Sequence, residues 1–322
     1  MRSIFITGVN GLLGTNLVHL LLDKGYRVIG LVRSLESYKG KTHDNLELVT
    51  GTLFDDYSKI LQEVDYVVHI AAVTSQNIIS ESYYWKINTD ATKQLFYASK
   101  ICKVKKFIFV SSANTIGFGS LDNLGHEDTP MRYPFTDSMY AISKETAERQ
   151  ILIDNKEMDT IVVNPTFMLG AYDTKPSSGK IIMMAWKKKV VLYPPGGKNF
   201  VHVQDVAHGI HNALSKGKDG QRYILSNENM TFKEFYQKLN DLTKQNPLMI
   251  KIPKWLLTPI GYIGDMLRYM HIKTSLSSVN TKILCINNYY TNTKSISDLE
   301  IDYQSIDNAI VDAVDYFSKH ST

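Results

Sequence analysis

A chain of 322 residues with 43% hydrophobic content can bury a substantial core, which excludes a disordered segment and a disulfide-dependent scaffold. The net charge of +4 is mild, and the basic residues are dispersed apart from 103–106 and Lys187-Lys188-Lys189, short runs better explained as solvated helix ends than as a nucleic-acid surface. Cys102 and Cys285 stand alone, without the spacing of a zinc site, so a reduced, metal-free protein is expected.

The run Ser3-Ile4-Phe5-Ile6-Thr7 reads as a strand, and it breaks at Gly8-Val9-Asn10-Gly11-Leu12-Leu13-Gly14. Leu13, Leu17, Leu20 and Leu21 then recur at the spacing of a helix packed on a sheet. Gly8 permits a tight turn, Gly11 leaves no Cβ between backbone and phosphate, and Gly14 lets the helix approach the sheet. The free N–H groups of the first helical turn face the anion, so this stretch, with Asn10, Leu12 and Leu13 inside it, is expected to hold a dinucleotide pyrophosphate. The apolar run before the turn is too short for a signal peptide, and a cytoplasmic protein is expected.

Residues 26–32, 46–49, 65–70, 106–110 and 160–163 read as the next five strands, with helices at 56–63, 83–102 and 137–156. Near-continuous apolar strands alternating with helices imply an α/β fold, a doubly wound parallel sheet of the Rossmann type with right-handed crossovers. Beyond Pro165 the alternation weakens, and a smaller, interleaved substrate-binding part is expected, with 205–215 as a returning helix and 222–225 as a further strand. The division expected is a dinucleotide-binding domain over 1–165, with returning segments near 200–226, and a mainly substrate-binding part over 166–322. Residues 255–270 carry Leu256, Leu257, Ile260, Ile263, Met266, Leu267 and Met270 on a helical face interrupted by Pro259, Asp265 and Arg268. That stretch is too polar to span a bilayer; a helix covering the pocket or the core is expected ahead of an interfacial membrane helix.

Tyr140 and Lys144 lie four apart within the helix after the fifth strand, so both project from one face. An ammonium beside a phenol lowers the phenol's pKa from about 10 and makes it a usable general acid or base. Ser112, at the carboxyl end of the preceding strand, offers a hydroxyl to hold a substrate oxygen where α/β sheets bind ligands. The second strand ends in Val32-Arg33-Ser34, with no carboxylate to accept ribose hydroxyls. Arg33 instead offers a planar fork to a 2′-phosphate and Ser34 a further bond, so NADP is the cofactor expected, with NAD as the alternative. The competing reading is a solvated Arg33, or one drawn aside by Glu36.

Taken together, Thr7-Gly8-x-x-Gly11-x-x-Gly14, Ser111-Ser112-Ala113, Tyr140-x-x-x-Lys144 and Asn164-Pro165-Thr166 resemble the extended branch of the short-chain dehydrogenase/reductase superfamily, the NAD-dependent epimerase/dehydratase family. The likeness covers nearly the whole chain. It implies that Tyr140 is the catalytic acid/base, that Lys144 also holds the nicotinamide ribose, and that Ser112 binds the reacting oxygen. By the same resemblance Asn88 matches the family's helix asparagine, against a plain helix-surface role, and Ala71-Ala72 matches the small-residue turn beside the cofactor. Asn164, Pro165 and Thr166 join the cofactor-binding set. The family usually carries an Asp after the third strand for the adenine amino group; Thr52 stands there, so recognition is expected to lean on the Leu53 backbone.

Within that branch, 164–170 and 197–207 look most like dihydroflavonol-reductase-like and hydroxysteroid-dehydrogenase-like members. Lys198 stands where sugar-nucleotide epimerases tend to carry Arg, and Ala113-Asn114-Thr115 lacks the acidic pair typical of dehydratases. The resemblance therefore implies an NADP-dependent carbonyl reductase acting on a small-molecule ketone or aldehyde, or the matching alcohol. A nucleotide-sugar epimerase is the alternative, and a non-catalytic nucleotide sensor is remote because Tyr140 and Lys144 are both present. If Met131, Tyr133, Phe135, Phe167, Met168 and Tyr172 line the pocket, an apolar or ring-bearing substrate fits; packing of those loops on the core is the competing reading. No nucleic-acid partner and no transmembrane segment are expected, and a homodimer is left open.

Overall fold

The computed structural model describes residues 1–75, 80–274 and 276–320. Its strands are β1 (Ser3–Thr7), β2 (Arg27–Val32), β3 (Leu46–Thr50), β4 (Tyr66–His69), β5 (Lys106–Val110), β6 (Asp159–Pro165), β7 (Phe167–Leu169), β8 (Val190–Tyr193), β9 (Gly197–His202), β10 (Arg222–Leu225), β11 (Glu228–Thr231), β12 (Leu248–Lys251) and β13 (Asn287–Asn288). The α-helices are α1 (Leu12–Asp23), α2 (Ser58–Leu61), α3 (Glu81–Tyr84), α4 (Ala91–Ile101), α5 (Met139–Ile153), α6 (Lys180–Met183), α7 (Val203–Lys216), α8 (Phe232–Leu242), α9 (Lys254–Tyr269), α10 (Ser278–Ile283), α11 (Thr293–Leu299) and α12 (Ile306–His320).

Seven strands form one parallel sheet in the order β10-β6-β5-β4-β1-β2-β3. Chain order reverses between β1 and β4, so the crevice at their carboxyl ends is the topological switch point, the usual ligand position in such sheets. Strand alternation feeds two cores. Ile4, Ile6, Ile108 and Val110 point to the face covered by α1 and α7, where Leu17, Leu21, Val206 and Ile210 meet them. Phe5, Phe107 and Phe109 point the other way, onto Leu95 and Phe96 of α4 and Ala147 and Ile151 of α5. With both faces covered, the interior of the central strands β1, β4 and β5 is wholly apolar, as a buried parallel sheet requires, while the edge strand β3 admits Glu47.

A second assembly packs beside the carboxyl ends. There β9 pairs antiparallel with β11 and parallel with β7 and β13, while β8 pairs with β12. Its core stacks Phe200 on Phe235 at 4.5 Å and is closed by Ile310 and Phe317 of α12. The capping box of Thr231 and Glu234 starts α8, satisfying two first-turn donors.

Two features depart from the sequence reading. The helix expected over 83–102 is broken by a π-helical segment, Trp85–Asp90, whose wider turn sets Asn88 and Thr89 side by side toward α5. The helix expected to cover the pocket or core with its apolar face does the reverse. α9 runs through Pro259 and packs on α10 with Leu257, Gly261 and Gly264, leaving Trp255, Leu256, Ile263, Met266 and Met270 exposed.

Candidate active site

At the switch point the three loop glycines differ as their positions demand. Gly8 has φ +79°, and a Cβ there would sit 2.8 Å from the Ala71 nitrogen, so β1 and the turn after β4 touch through backbone alone. A Cβ on Gly14 would lie 2.0 Å from the Gly8 carbonyl oxygen. Gly11 is exposed, with nothing nearer than 3.5 Å to its own would-be Cβ. It also caps α1 without a side-chain bond, leaving the first-turn N–H groups to an external acceptor. Leu12 and Leu13 point into the core beneath, and Asn10 donates to Ser37 Oγ at 3.0 Å, tying the loop to the turn after β2. An open Gly11 over uncapped helix donors fits a dinucleotide pyrophosphate.

Arg33 projects into solvent at the end of β2, and among the described residues it makes no ion pair; Glu36 does not engage it. Ser34 is likewise exposed. Thr52 is less available than its place in the sequence suggested. Its hydroxyl donates to Asp55 Oδ1 at 2.7 Å, its amide donates to Asp55 Oδ2 at 2.9 Å, and its carbonyl accepts from the Tyr57 hydroxyl. The acid of this turn is Asp55, folded back on Thr52, while Leu53 is half-buried against the second core.

Ser138 starts α5 by accepting from the Ala141 amide, placing Tyr140 in the first turn. The Ser112 hydroxyl, which accepts from the Asn114 amide at 3.2 Å, lies near enough to the Tyr140 phenol to favour its ionised form, so the two groups expected at a reacting oxygen are neighbours. Lys144, one turn on, is buried; its ammonium donates to the Val110 carbonyl at 2.8 Å and lies 4.4 Å from the centre of the Phe109 ring. Burial lowers this ammonium to about 7, with Glu148 opposing the shift. For Tyr140 the sequence pointed to a lowered pKa, yet burial pushes the phenol up and only the neighbouring Ser112 works against it. Desolvation outweighs the cation because Lys144 is turned to the end of β5 and is itself disfavoured as a cation.

Asn88 is not on the helix surface. It is fully buried, accepts from the Val73 amide at 2.8 Å, and donates to the Val73 carbonyl at 3.1 Å and Ser143 Oγ at 3.0 Å. Thr89 adds a bond to the Ser143 carbonyl at 2.8 Å, so the π segment clamps α5 between Tyr140 and Lys144. With all three polar contacts spent inside the protein, Asn88 acts on the site through position. Ala71 and Ala72 are half-buried, and the Ala71 amide donates to Thr7 Oγ1 at 3.2 Å.

Sequence reasoning passed over His69, hidden at the end of an apolar strand. Its Nδ1 lies 2.7 Å from Thr7 Oγ1 and its Nε2 2.9 Å from Thr92 Oγ1, while the ring stacks on Phe109. Thr92 gives its single hydroxyl proton to the Asn88 carbonyl at 2.8 Å, so it must accept from Nε2–H; Nδ1 then accepts from Thr7. Burial, with Lys144 assisting, pushes His69 down to about 3, so it is neutral. A lone histidine closing a buried strand beside a small-residue turn was the available signal. A second buried network lay across elements no local pattern joins. Glu148 bonds Arg222 at 3.0 Å and accepts from Thr115 Oγ1 and Asn164 Nδ2, each at 3.0 Å. Asn164 Nδ2 also reaches the Ser112 carbonyl at 3.2 Å, and its buried Oδ1 has no partner among the described residues. Pro165 pairs with Leu225, and the Thr166 hydroxyl donates to Asn199 Oδ1 at 2.7 Å, joining the sheet to the second assembly.

The aromatic loops divide. Phe135 is buried with Ala141 and Ile283, and Phe167 packs edge-on to Phe200, so packing accounts for both. Met131 and Met168 are half-buried against core clusters, and Tyr172 meets His19 and Tyr316. Tyr133 remains exposed beside Lys282. In the second assembly Lys198 lies 5.3 Å from the centre of the Phe167 ring, makes no ion pair among the described residues, and is lowered to about 8 by burial.

A glycine loop at the switch point of a doubly wound sheet, with Ser112 after β5 and Tyr140 and Lys144 on one face of α5, defines an NAD(P)-dependent enzyme of the short-chain dehydrogenase/reductase type. The chain belongs to the NAD-dependent epimerase/dehydratase family, whose model matches residues 4–226. It is 27% identical over 324 residues to a protein of Synechocystis sp. provisionally named a dihydroflavonol 4-reductase, covering 98% of this chain and 94% of that one. It is 30% identical over 275 residues to the decarboxylating sterol-4-alpha-carboxylate 3-dehydrogenase of Dictyostelium discoideum, covering 81% and 82% of the two chains. Among solved structures, that of gox2253 superposes with a TM-score of 0.84 at 26% identity, covering 99% of each chain.

Proposed function

We propose that the protein is an NADP-dependent carbonyl reductase whose substrate is a ketone or aldehyde. The observation that carries this reading is the placement of Tyr140 in the first turn of α5 with Lys144 one turn on, its ammonium donating to the Val110 carbonyl at 2.8 Å where β5 runs out toward Ser112. The bound dinucleotide supplies the hydride. Gly8, Gly11, Gly14 and the first-turn amides of α1 would hold its pyrophosphate, Arg33 and Ser34 a 2′-phosphate, and Lys144 with Asn164 the nicotinamide end. Ser112 holds the substrate oxygen, Tyr140 gives it a proton as the carbonyl becomes an alcohol, and a phenol made a weaker acid by burial gives that proton up only as hydride addition turns the oxygen basic. Residues 1–165 serve the cofactor and 166–322 mainly the substrate, in a reducing cytoplasmic setting that suits the free Cys102 and Cys285.

Tyr140→Phe is expected to keep NADPH affinity and to lose turnover by about 10²- to 10⁴-fold. An unimpaired rate would sink the assignment. One observation favours a second reading, a nucleotide-sugar epimerase: the unpaired Lys198 in the substrate-binding part suits a diphosphate. Stoichiometric loss of NADPH with a free hydrophobic ketone supports the reductase. Turnover of a sugar nucleotide with no net change in cofactor supports the epimerase.

A further inference from the structure

Most exposed large hydrophobic side chains among the described residues fall between Met183 and Leu276, far more than scattered surface apolars explain. Two consecutive elements carry them. In the β8–β12 pair Val190 opposes Leu248 and Leu192 opposes Ile250, so four apolar side chains share one face, and that face is open, Leu248 being 63% exposed. The opposite face holds Val191 and Met249 against the core. Three residues beyond β12, α9 repeats the inversion. Trp255, Tyr262, Met266 and Tyr269 recur at seven-, four- and three-residue spacing on the outside, flanked by Leu256, Ile263 and Met270, with Trp255 74% and Tyr269 88% exposed.

The charges around this surface name its occupant. Lys187, Lys188 and Lys189 immediately precede β8 and are exposed, Lys251 ends β12, Lys254 opens α9, and Lys273 follows α9. The one acid within 183–193 and 248–274 is Asp265, which accepts from the Ser278 amide at 3.1 Å on the protein side. Apolar and amphipathic aromatic side chains rimmed by lysines, with no outward carboxylate, complement an anionic lipid headgroup layer. An isologous contact with a second copy would bring like lysines together with no acid to meet them. At 16 residues, α9 suits lying in the interface, and no helix of the described residues is long and apolar enough to cross a membrane.

We propose that the open face of the β8–β12 pair and the outer face of α9 dock on the surface of an anionic bilayer. Beneath α9, Ile283 of α10 packs with Phe135 and Ala141, which links the docking layer to the start of the Tyr140 helix.

The test is sedimentation of the full-length protein with vesicles of phosphatidylcholine alone or doped with phosphatidylglycerol. Binding is expected to the doped vesicles, to weaken at least about tenfold from low to high salt, and to be slight with phosphatidylcholine. Replacing both Ile263 and Met266 by Asp should lower partitioning at least about tenfold, since their apolar surface leaves the headgroup layer. Changing Lys187, Lys188 and Lys189 together to Gln should lower it by about fivefold per lysine. All five side chains are exposed, and unchanged melting temperatures verify folding; should the Asp pair melt early, the lysine variant decides. No binding by the wild type, equal binding by the folded variants, or a wild-type dimer that the Asp pair converts to monomer would each overturn the proposal, the last in favour of a second copy.

Discussion

Gly11→Ala and Gly14→Ala, three residues apart in one turn, should fail in different ways. At Gly11 the backbone sits at φ −97°, ψ 174°, open to alanine, and the new methyl meets only the Gly8 oxygen at 3.5 Å. Losing a glycine cap costs a few tenths of a kcal/mol to about 1, and the stiffer unfolded chain returns about 0.4–1 kcal/mol. The melting temperature should therefore stay within about 4 °C. On the proposed reading the methyl stands in the path of the pyrophosphate, so NADPH affinity should fall at least tenfold, about 1.4 kcal/mol. At Gly14 the same methyl would be 2.0 Å from the Gly8 oxygen and 2.7 Å from the Val9 Cα, and both are backbone. Restoring an ordinary 3.4 Å contact needs a shift of 1.4 Å (3.4 − 2.0) of α1 against β1. Overpacking of this kind costs about 1–3 kcal/mol or more, so this variant should lose stability as well as binding. Titration calorimetry with NADPH beside thermal melts reads both quantities. Gly11→Ala binding like wild type would refute the cofactor path, and Gly14→Ala melting like wild type would refute the close approach.

Arg33→Ala should raise the Michaelis constant for NADPH at least about tenfold and that for NADH only a few-fold, because only the former carries the 2′-phosphate; equal losses for both would reject Arg33 as its partner. His69→Asn should lower stability at neutral pH and also change its pH dependence. The native imidazole titrates at about 3, whereas in the unfolded chain it titrates near 6.5. Between those values the unfolded chain binds a proton that the native state refuses, so the His69 contribution is complete above about 6.5 and is lost as pH falls, at about 1.4 kcal/mol per unit. Urea unfolding through that window should show a shallower slope in the variant, and an unchanged slope would mean His69 is hydrated.

The sheet was legible because short apolar runs separated by helices admit few arrangements, and the Gly8–Gly14 turn marks where the cofactor belongs. The placing of Tyr140 and Lys144 on one helix, with Ser112 after β5, was legible because helical spacing and a strand end are local properties. What escaped depends on long reach. The His69 bonds join residues 62 and 23 positions apart, and the Glu148 cluster joins β10 to α5, so no window of sequence contains either. The direction of the Tyr140 shift escaped for a different reason: spacing locates Lys144, while burial of both groups decides which electrostatic effect wins. Periodicity likewise found the apolar face of α9, but an amphipathic pattern does not say whether water or protein lies against it.

The hydrogen bonds through His69 all run one way, from the Ala71 amide through Thr7, the imidazole and Thr92 to a carbonyl that can only accept. Reversing them would leave the buried Thr7 proton and the Asn88 carbonyl each short of a partner, at about 1–3 kcal/mol apiece. With protonation of the ring also suppressed, His69 is a strut and cannot hand protons through the sheet. On the proposed reading, any proton that Tyr140 gives up must therefore come back by a route that bypasses this chain of hydrogen bonds.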